Sequence, residues 1–255
     1  MENSPNLAMY GFKTGGRTSL NSRTMMLKEL SALLQAASSP AAGKSGFLKA
    51  VIDDNCLGKK SGVTRKLSAA HLENMYALDT DLLIFKALRF FWQRDAAGRP
   101  LLALTCLYSR DYVIRAITPT ILGKREGEAI SKEAVQEELN NRYPGVFSNA
   151  TVESTTRNIL STFTQSGHLR GRRVKTRSRA VPTAGTAAYS LLLAHICGYR
   201  GESLLSCEYI NLLDCAFGKA VELAETASRS GWISFKHVDT VYDISFPNKD
   251  LGVRV

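Results

Sequence analysis

Hydrophobic residues recur every three or four positions through most of the first half of the chain. From Arg23 to Ala37 the leucines and methionines fall at helical spacing, and the breaker cluster SSPAAGKSG follows. The same periodicity returns in segments 47–53, 67–76, 79–95 and 99–122. The pattern predicts about five helices and no strand in a helical domain of residues 23–123. Residues 1–22, rich in Gly, Ser, Thr and Asn, predict a flexible lead-in.

The pattern changes after the polar segment GKREGEAIS. Ser131 can cap a helix that ends at Tyr143, before Pro144 and Gly145. A second helix is predicted from about Ala150 to Ser166, with Ser148 or Asn149 as cap and Gly167 as its end. A basic segment follows it. Helix, turn, helix and basic hairpin is the order of a winged helix, so residues 131–255 predict a winged-helix-like DNA-binding domain.

The second of these helices has two different faces. Apolar positions and one threonine form a stripe of Val152, Thr156, Ile159, Leu160 and Phe163, while short polar side chains occupy the other side. In a helix-turn-helix the second helix enters the major groove. The residues expected to face that groove are Thr151, Ser154, Thr155, Arg157 and Asn158, of which Asn158 and Arg157 are the best candidates for base contacts.

The basic segment QSGHLRGRRVKTRSRAV, residues 165–181, contains no acidic residue. Its cations are Arg170, Arg172, Arg173, Lys175, Arg177 and Arg179. The last four alternate with uncharged residues, and side chains in a strand point to opposite faces with period two. The alternation predicts a strand with one cationic face that binds phosphate. His168 lies in the same segment and is a further candidate for phosphate contact.

The chain after Pro182 returns to helical patterns. Helices are predicted at 184–197 and 209–229, and WISFKHVDTVYDISF predicts a strand, a turn and a second strand. This hairpin could join a small sheet with the basic run. The fold class is therefore mostly α, with an N-terminal helical bundle, a winged-helix-like module and a small β-hairpin.

The charge balance is the unusual feature of the composition. The formal net charge is +10 and the isoelectric point is about 9.5, which favours a polyanionic partner. Nucleic acid comes first, because the best apolar run, at 187–199, is too short to span a membrane. No signal-peptide pattern opens the chain, so we expect a cytoplasmic protein. A second basic stretch with Lys59, Lys60, Arg65 and Lys66 could extend the DNA contact.

No catalytic or cofactor pattern is evident. The segment AAGKSG matches the end of a phosphate-binding loop, but Ser38 stands where that motif has its first glycine. The four histidines and five cysteines lack metal-ligand spacing. Trp92, with Phe90 and Phe91, is expected in the core. The sequence predicts a protein that is not an enzyme and needs no cofactor or metal.

Two stretches resemble a known family. DNCLGKKSGVTRKLSAAHLENMYALD, which contains in order Asn55, Leu57, Lys60, Thr64, Arg65 and Leu72, resembles the N-terminal signature of the small BrxA subunit of BREX phage-defence systems. ILSTFTQSGHLRGR resembles the helix followed by Gly and Leu in that family's C-terminal half. The resemblance covers about half of the chain and implies a helical, non-enzymatic DNA-binding protein encoded with a methyltransferase, a phosphatase-like protein and large ATPases.

These observations predict a double-stranded DNA-binding protein that belongs to a prokaryotic defence complex with other subunits. Two alternatives stay open at this point. One is an adaptor whose basic strand meets an acidic protein partner. The other is an RNA-binding module, because a cationic hairpin fits the phosphates of either nucleic acid.

Overall fold

Twelve α-helices and five short strands form the part of the chain that the computed structural model describes, residues 6–37, 43–239, 241–247 and 251. The helices are α1 (Leu27–Ala36), α2 (Lys44–Ile52), α3 (Gly62–Tyr76), α4 (Leu83–Arg94), α5 (Arg99–Arg110), α6 (Tyr112–Leu122), α7 (Lys132–Arg142), α8 (Asn149–Gln165), α9 (Ala184–Ile196), α10 (Ser203–Ser206), α11 (Glu208–Asn211) and α12 (Phe217–Arg229). The strands are β1 (Ala129–Ile130), β2 (Leu169–Arg170), β3 (Lys175–Arg177), β4 (Ser234–Val238) and β5 (Val241–Ser245). The prediction of a mostly α protein is confirmed. The first five residues of the predicted lead-in, and Ser38 with the start of AAGKSG, lie outside the described residues.

The described residues of the N-terminal half form six α-helices, whereas the sequence predicts about five. The predicted helix 99–122 is divided at Asp111, whose carboxylate accepts hydrogen bonds from the backbone N–H groups of Val113 and Ile114. Such a side chain satisfies the free donors at a helix start, so a new helix begins there. Thr18 donates a further hydrogen bond to Asp111 over 2.7 Å.

The described part of the lead-in, residues 6–22, packs against the helices, where the sequence analysis expects a flexible segment. Phe12 and Leu20 are buried among the helices, and a short 3-10 helix covers Leu7–Tyr10. The chain then passes along α8, where the Met25 N–H donates to the Thr162 hydroxyl over 3.0 Å. These contacts correct the expectation, because burial of apolar side chains fixes the segment on the core.

The chain after Pro182 rejoins the helical core. Helix α9 packs against α4, α5 and α12, and Tyr189 donates a hydrogen bond to the carbonyl of Ile84 in α4 over 2.9 Å. Residues 131–255 therefore do not separate from the core as one unit. Trp92, Phe90 and Phe91 are buried, as predicted, and the ring of Phe91 contacts that of Tyr189 in α9.

The strands form two separate antiparallel sheets. In the first, the order is β1-β3-β2, and the sheet stands beside α7 and α8. In the second, β4 pairs with β5 and packs against α12. The predicted C-terminal hairpin is thus present, but it does not join the sheet of the basic run.

Candidate nucleic-acid interface

Helices α7 and α8 begin where the sequence places their caps. The Ser131 hydroxyl accepts the Ala134 N–H at 3.1 Å, and the Ser148 hydroxyl accepts the Thr151 N–H at 3.3 Å. The apolar stripe of α8 is buried as expected, from Val152 to Phe163. On the opposite side of α8, the side chains of Glu153 and Arg157 are exposed to a partner.

A tight turn joins β2 to β3. Gly171 has a φ of +97°, a left-handed conformation that glycine adopts without strain, and the register pairs Arg170 with Thr176. We call residues Gly171–Val174 the hairpin tip. Its residues Gly171, Arg172, Arg173 and Val174 are all exposed. The turn thus presents two guanidinium groups to solvent.

A cleft of about 870 Å³ lies between the hairpin tip, α8 and the first turn of α7. We call it the interface cleft. Its lining is cationic on the rim and contains several apolar side chains; the residues are Thr120, Lys124, Ala129, Ile130, Ser131, Lys132, Glu133, Ala134, Arg157, Leu160, Ser161, Arg172, Arg173, Val174 and Lys175. The start of α7 adds the positive end of a helix dipole to the same wall. Six cations and one carboxylate line the cleft, so its lining carries a net positive charge.

Five exposed cations at or beside the interface cleft make no ion pair with any residue that the structure describes: Lys132, Arg157, Arg170, Arg172 and Arg173. Of the carboxylates, only Glu133 lines the cleft. Unpaired cations side by side repel one another, and an anion in the cleft would relieve that repulsion. All of these cations except Lys132 are predicted contact residues, and the signal that identifies Lys132 is its position as the first residue of α7.

Lys175 has a structural contact as well as a place in the lining. Its ammonium group donates to the carbonyl of Gly171 over 2.6 Å, and the residue is half-buried. Burial lowers the pKa of Lys175. Its ammonium group therefore helps to hold the turn closed.

Arg177 does not belong to a cationic face. Its side chain is 1% exposed and forms two hydrogen bonds with the carboxylate of Asp214, at 2.8 and 2.6 Å. Arg179 is 60% exposed, yet it also donates to Asp214 over 2.7 Å. The predicted cationic strand is therefore corrected: β3 covers only Lys175–Arg177, and Arg177 points inward.

His168 is buried, which corrects its assignment as a phosphate contact. Its Nδ1 lies 2.8 Å from the Ser166 hydroxyl, and its Nε2 lies 3.0 Å from the carbonyl of Leu212. Burial lowers the pKa of His168 to about 4, although Asp214 acts in the opposite direction. The ring is neutral near pH 7 and fixes the end of α8 to the segment after α11.

The polar residues of α8 have different roles. Thr155 is 0% exposed, so it cannot face a groove. Asn158 is half-buried and donates to the Leu20 carbonyl over 2.7 Å. The half-buried Thr151 and Ser154 contact the helix start, through the Ser148 hydroxyl and the Thr151 carbonyl, respectively. Arg157 is the one member of the predicted set whose side chain is exposed and lines the interface cleft.

The second basic stretch is mostly engaged within the protein. Lys59 pairs with Glu29 at 3.0 Å, and the guanidinium of Arg65 donates to the carbonyl of Ile52 over 2.9 Å. These contacts give Lys59 and Arg65 a role within the fold that involves no DNA. Lys60 is exposed, but it is not in the lining of the interface cleft.

The structure offers no competing metal centre within the described ranges. No group of three or more His, Cys, Asp or Glu side chains there is placed to hold a metal ion. None of the helices in that part of the chain has the length and apolar character required to cross a membrane.

Comparison with known proteins assigns this chain to no family. No model of a known protein family matches the sequence, and no curated protein matches it significantly. The resemblance to BrxA therefore stays a prediction.

Proposed function

We propose that the protein binds double-stranded DNA, without catalysis, through the hairpin tip and the exposed face of α8. The observation that carries the proposal is the position of Arg157, Arg172 and Arg173, which line one cleft and have no acidic partner among the described residues. Guanidinium groups bind phosphate through paired hydrogen bonds. Phosphate contacts provide most of the affinity of proteins for DNA.

The order of the elements supports a winged-helix-like arrangement. The chain runs β1, α7, α8, β2, β3, the sheet order is β1-β3-β2, and β2 of the hairpin contacts α8. We propose that α8 is the recognition helix and that the hairpin tip is the wing. Arg157 is then the residue of α8 that contacts a base. Arg170, Arg172 and Arg173 bind phosphates of the DNA backbone.

Membership of a defence complex of the BREX type is part of the same proposal, with the resemblance to BrxA as its support. A small DNA-binding subunit would place the larger enzymes of such a complex on their substrate. The short footprint of one hairpin and one helix fits a subunit that positions partners and leaves the chemistry to them.

The test is fluorescence anisotropy with matched duplex DNA, duplex RNA and single strands over a salt series. The variant is Arg172→Glu with Arg173→Glu, and the control is Lys28→Glu with Lys236→Glu, which changes the net charge equally at exposed positions on α1 and β4. We expect the tip variant to lose roughly tenfold or more in duplex affinity at about 0.1 M salt, with a smaller salt slope, while the control stays close to the natural protein.

Three results would overturn the proposal in different ways. Equal losses of duplex affinity in the two variants would show that binding depends on net charge alone. Tighter binding of duplex RNA than of duplex DNA would favour the RNA-binding alternative. The absence of binding to any nucleic acid would favour an acidic protein partner, to be sought by affinity purification with the tip variant as the negative control.

A further inference from the structure

The interface cleft is larger and more apolar than contact with a duplex backbone requires. Its volume of about 870 Å³ exceeds those of two other cavities, near 420 and 380 Å³. Sites for small organic ligands have about 300–1,000 Å³ and combine apolar walls with a few polar groups. Phosphates of a duplex, in contrast, are bound at the surface by flexible cations. The cleft thus has the dimensions of a site for a separate small unit.

The lining of the interface cleft combines apolar and charged residues. Ile130 and Leu160 are 5% and 3% exposed and form its floor, and Val174, which is 65% exposed, stands on the rim. Arg157, on α8, faces the same space as the cations of the hairpin tip. A ligand that fills the cleft therefore meets both apolar side chains and guanidinium groups.

The presence of both apolar and charged residues in the lining favours one class of ligand. Inorganic phosphate would pair with the cations but would leave the apolar walls in contact with water. An uncharged apolar compound would cover those walls and leave the cations without a counter-charge, which is unfavourable. An organic phosphate satisfies both parts, because its phosphate and its carbon-rich body are joined in one molecule.

We infer that the interface cleft binds one nucleotide unit, with its phosphate on Arg157, Arg172 and Arg173 and its base and sugar against Ile130, Leu160 and Val174. The choice of a nucleotide among organic phosphates rests on the proposed function. The unit has two possible sources with the same chemistry, a free nucleotide and the 5′-phosphorylated terminal nucleotide of a DNA strand.

Isothermal titration calorimetry with deoxyadenosine monophosphate, deoxyadenosine and inorganic phosphate tests this inference. We expect the monophosphate to bind at least tenfold more tightly than either of the other two compounds. Two variants test the guanidinium contact and the volume of the cleft separately. Arg157→Gln removes one guanidinium and should weaken the monophosphate about tenfold, and Ser161→Tyr, at a half-buried lining position of α8, should fill the cleft and block binding. The control is Lys236→Gln on β4, and circular dichroism checks that each variant is folded.

Duplexes that differ only in a 5′-phosphate or 5′-hydroxyl end identify the source. Tighter binding of the phosphorylated duplex, reduced by Ser161→Tyr, supports a strand end; equal affinity for the two duplexes, with competition by the monophosphate, supports a free nucleotide. The inference is overturned if deoxyadenosine monophosphate binds no better than inorganic phosphate, or if folded Ser161→Tyr binds it normally. Duplex binding by the natural protein is measured separately from monophosphate binding. Duplex binding without monophosphate binding would support the proposed function and overturn the nucleotide site, and the opposite result would do the converse.

Discussion

Arg177 and Asp214 form a buried ion pair that connects the basic hairpin to the helical core. Two hydrogen bonds, Nη1 to Oδ2 at 2.8 Å and Nη2 to Oδ1 at 2.6 Å, join side chains that are 1% and 3% exposed. Burial opposes ionisation of Asp214, but the bonds from Arg177, Arg179 and the Ala180 N–H lower its pKa overall. The position of β3 therefore depends on a residue that follows α11.

Loss of one partner from this pair should destabilise the protein strongly. Arg177→Met leaves a buried carboxylate with fewer donors, and Asp214→Leu leaves a buried guanidinium without its counter-charge; each should lower the free energy of unfolding by about 3–5 kcal/mol. The double variant should recover at least half of the single-variant loss. Urea denaturation of the four proteins measures these values, and additive losses in the double variant would contradict the coupling.

Sequence periodicity could predict this hairpin but could not predict which of its cations are exposed. Arg173, Lys175, Arg177 and Arg179 alternate along the chain, yet the register pairs Arg177 with the buried Leu169 and turns it inward. Asp214, the residue that makes this burial possible, is 37 positions away in sequence. A local pattern carries no information about such a distant counter-charge.

Caps and helix faces were predictable because they depend on near neighbours. Ser131 and Ser148 bond to N–H groups three residues ahead, and the stripe of α8 follows from helical geometry. The burial of Thr155 and Asn158 was not predictable in the same way. Asn158 is covered by the segment around Leu20, which is distant in sequence. The interface cleft also brings together elements that local patterns do not place in contact.

Acid should destabilise the fold through two buried histidines. Burial lowers the pKa values of His168 and His195 to about 4, whereas histidine in an unfolded chain titrates near 6.5. Their contribution to stability is fully present above about pH 6.5 and decreases as the pH falls toward about 4, because within this window only the unfolded chain binds the protons.

Urea midpoints measured from pH 7.5 to pH 4.5 check this expectation. His168→Gln should reduce the slope of unfolding free energy against pH by up to about 1.4 kcal/mol per pH unit within that window, since one proton fewer is taken up on unfolding. The slope itself is the readout, because the substitution also changes stability at neutral pH. An unchanged slope would show that His168 is not held neutral.

Asn158 should be important for stability more than for DNA contact. Asn158→Ala removes the donor to the Leu20 carbonyl, bonded at 2.7 Å, and should cost about 1–2 kcal/mol of unfolding free energy. Duplex affinity at a temperature where the variant is folded should stay within about twofold, a difference of less than half a kcal/mol. The exposed Glu153→Ala on the same helix is the control and should be close to neutral for stability. Normal stability with lost affinity would instead restore Asn158 as a base contact.

The turn at Gly171 should set the position of the cations at the hairpin tip. A Cβ atom there would collide with the carbonyl oxygen of Val174, and the φ of +97° is itself unfavourable for alanine. Gly127, with a φ of +84° and open space around its Cβ position, shares the backbone strain without the collision.

Gly171→Ala should therefore open the turn and displace Arg172 and Arg173, with Gly127→Ala as the matched control. We expect weaker duplex binding and a smaller salt slope in Gly171→Ala, because fewer phosphates are neutralised at once. Binding by Gly127→Ala should stay near that of the natural protein, and the helical circular dichroism of both should be unchanged, since neither glycine lies in a helix. If Gly171→Ala bound duplex DNA with full affinity and salt slope, the shape of the turn would be irrelevant and the hairpin tip would act only through its net charge.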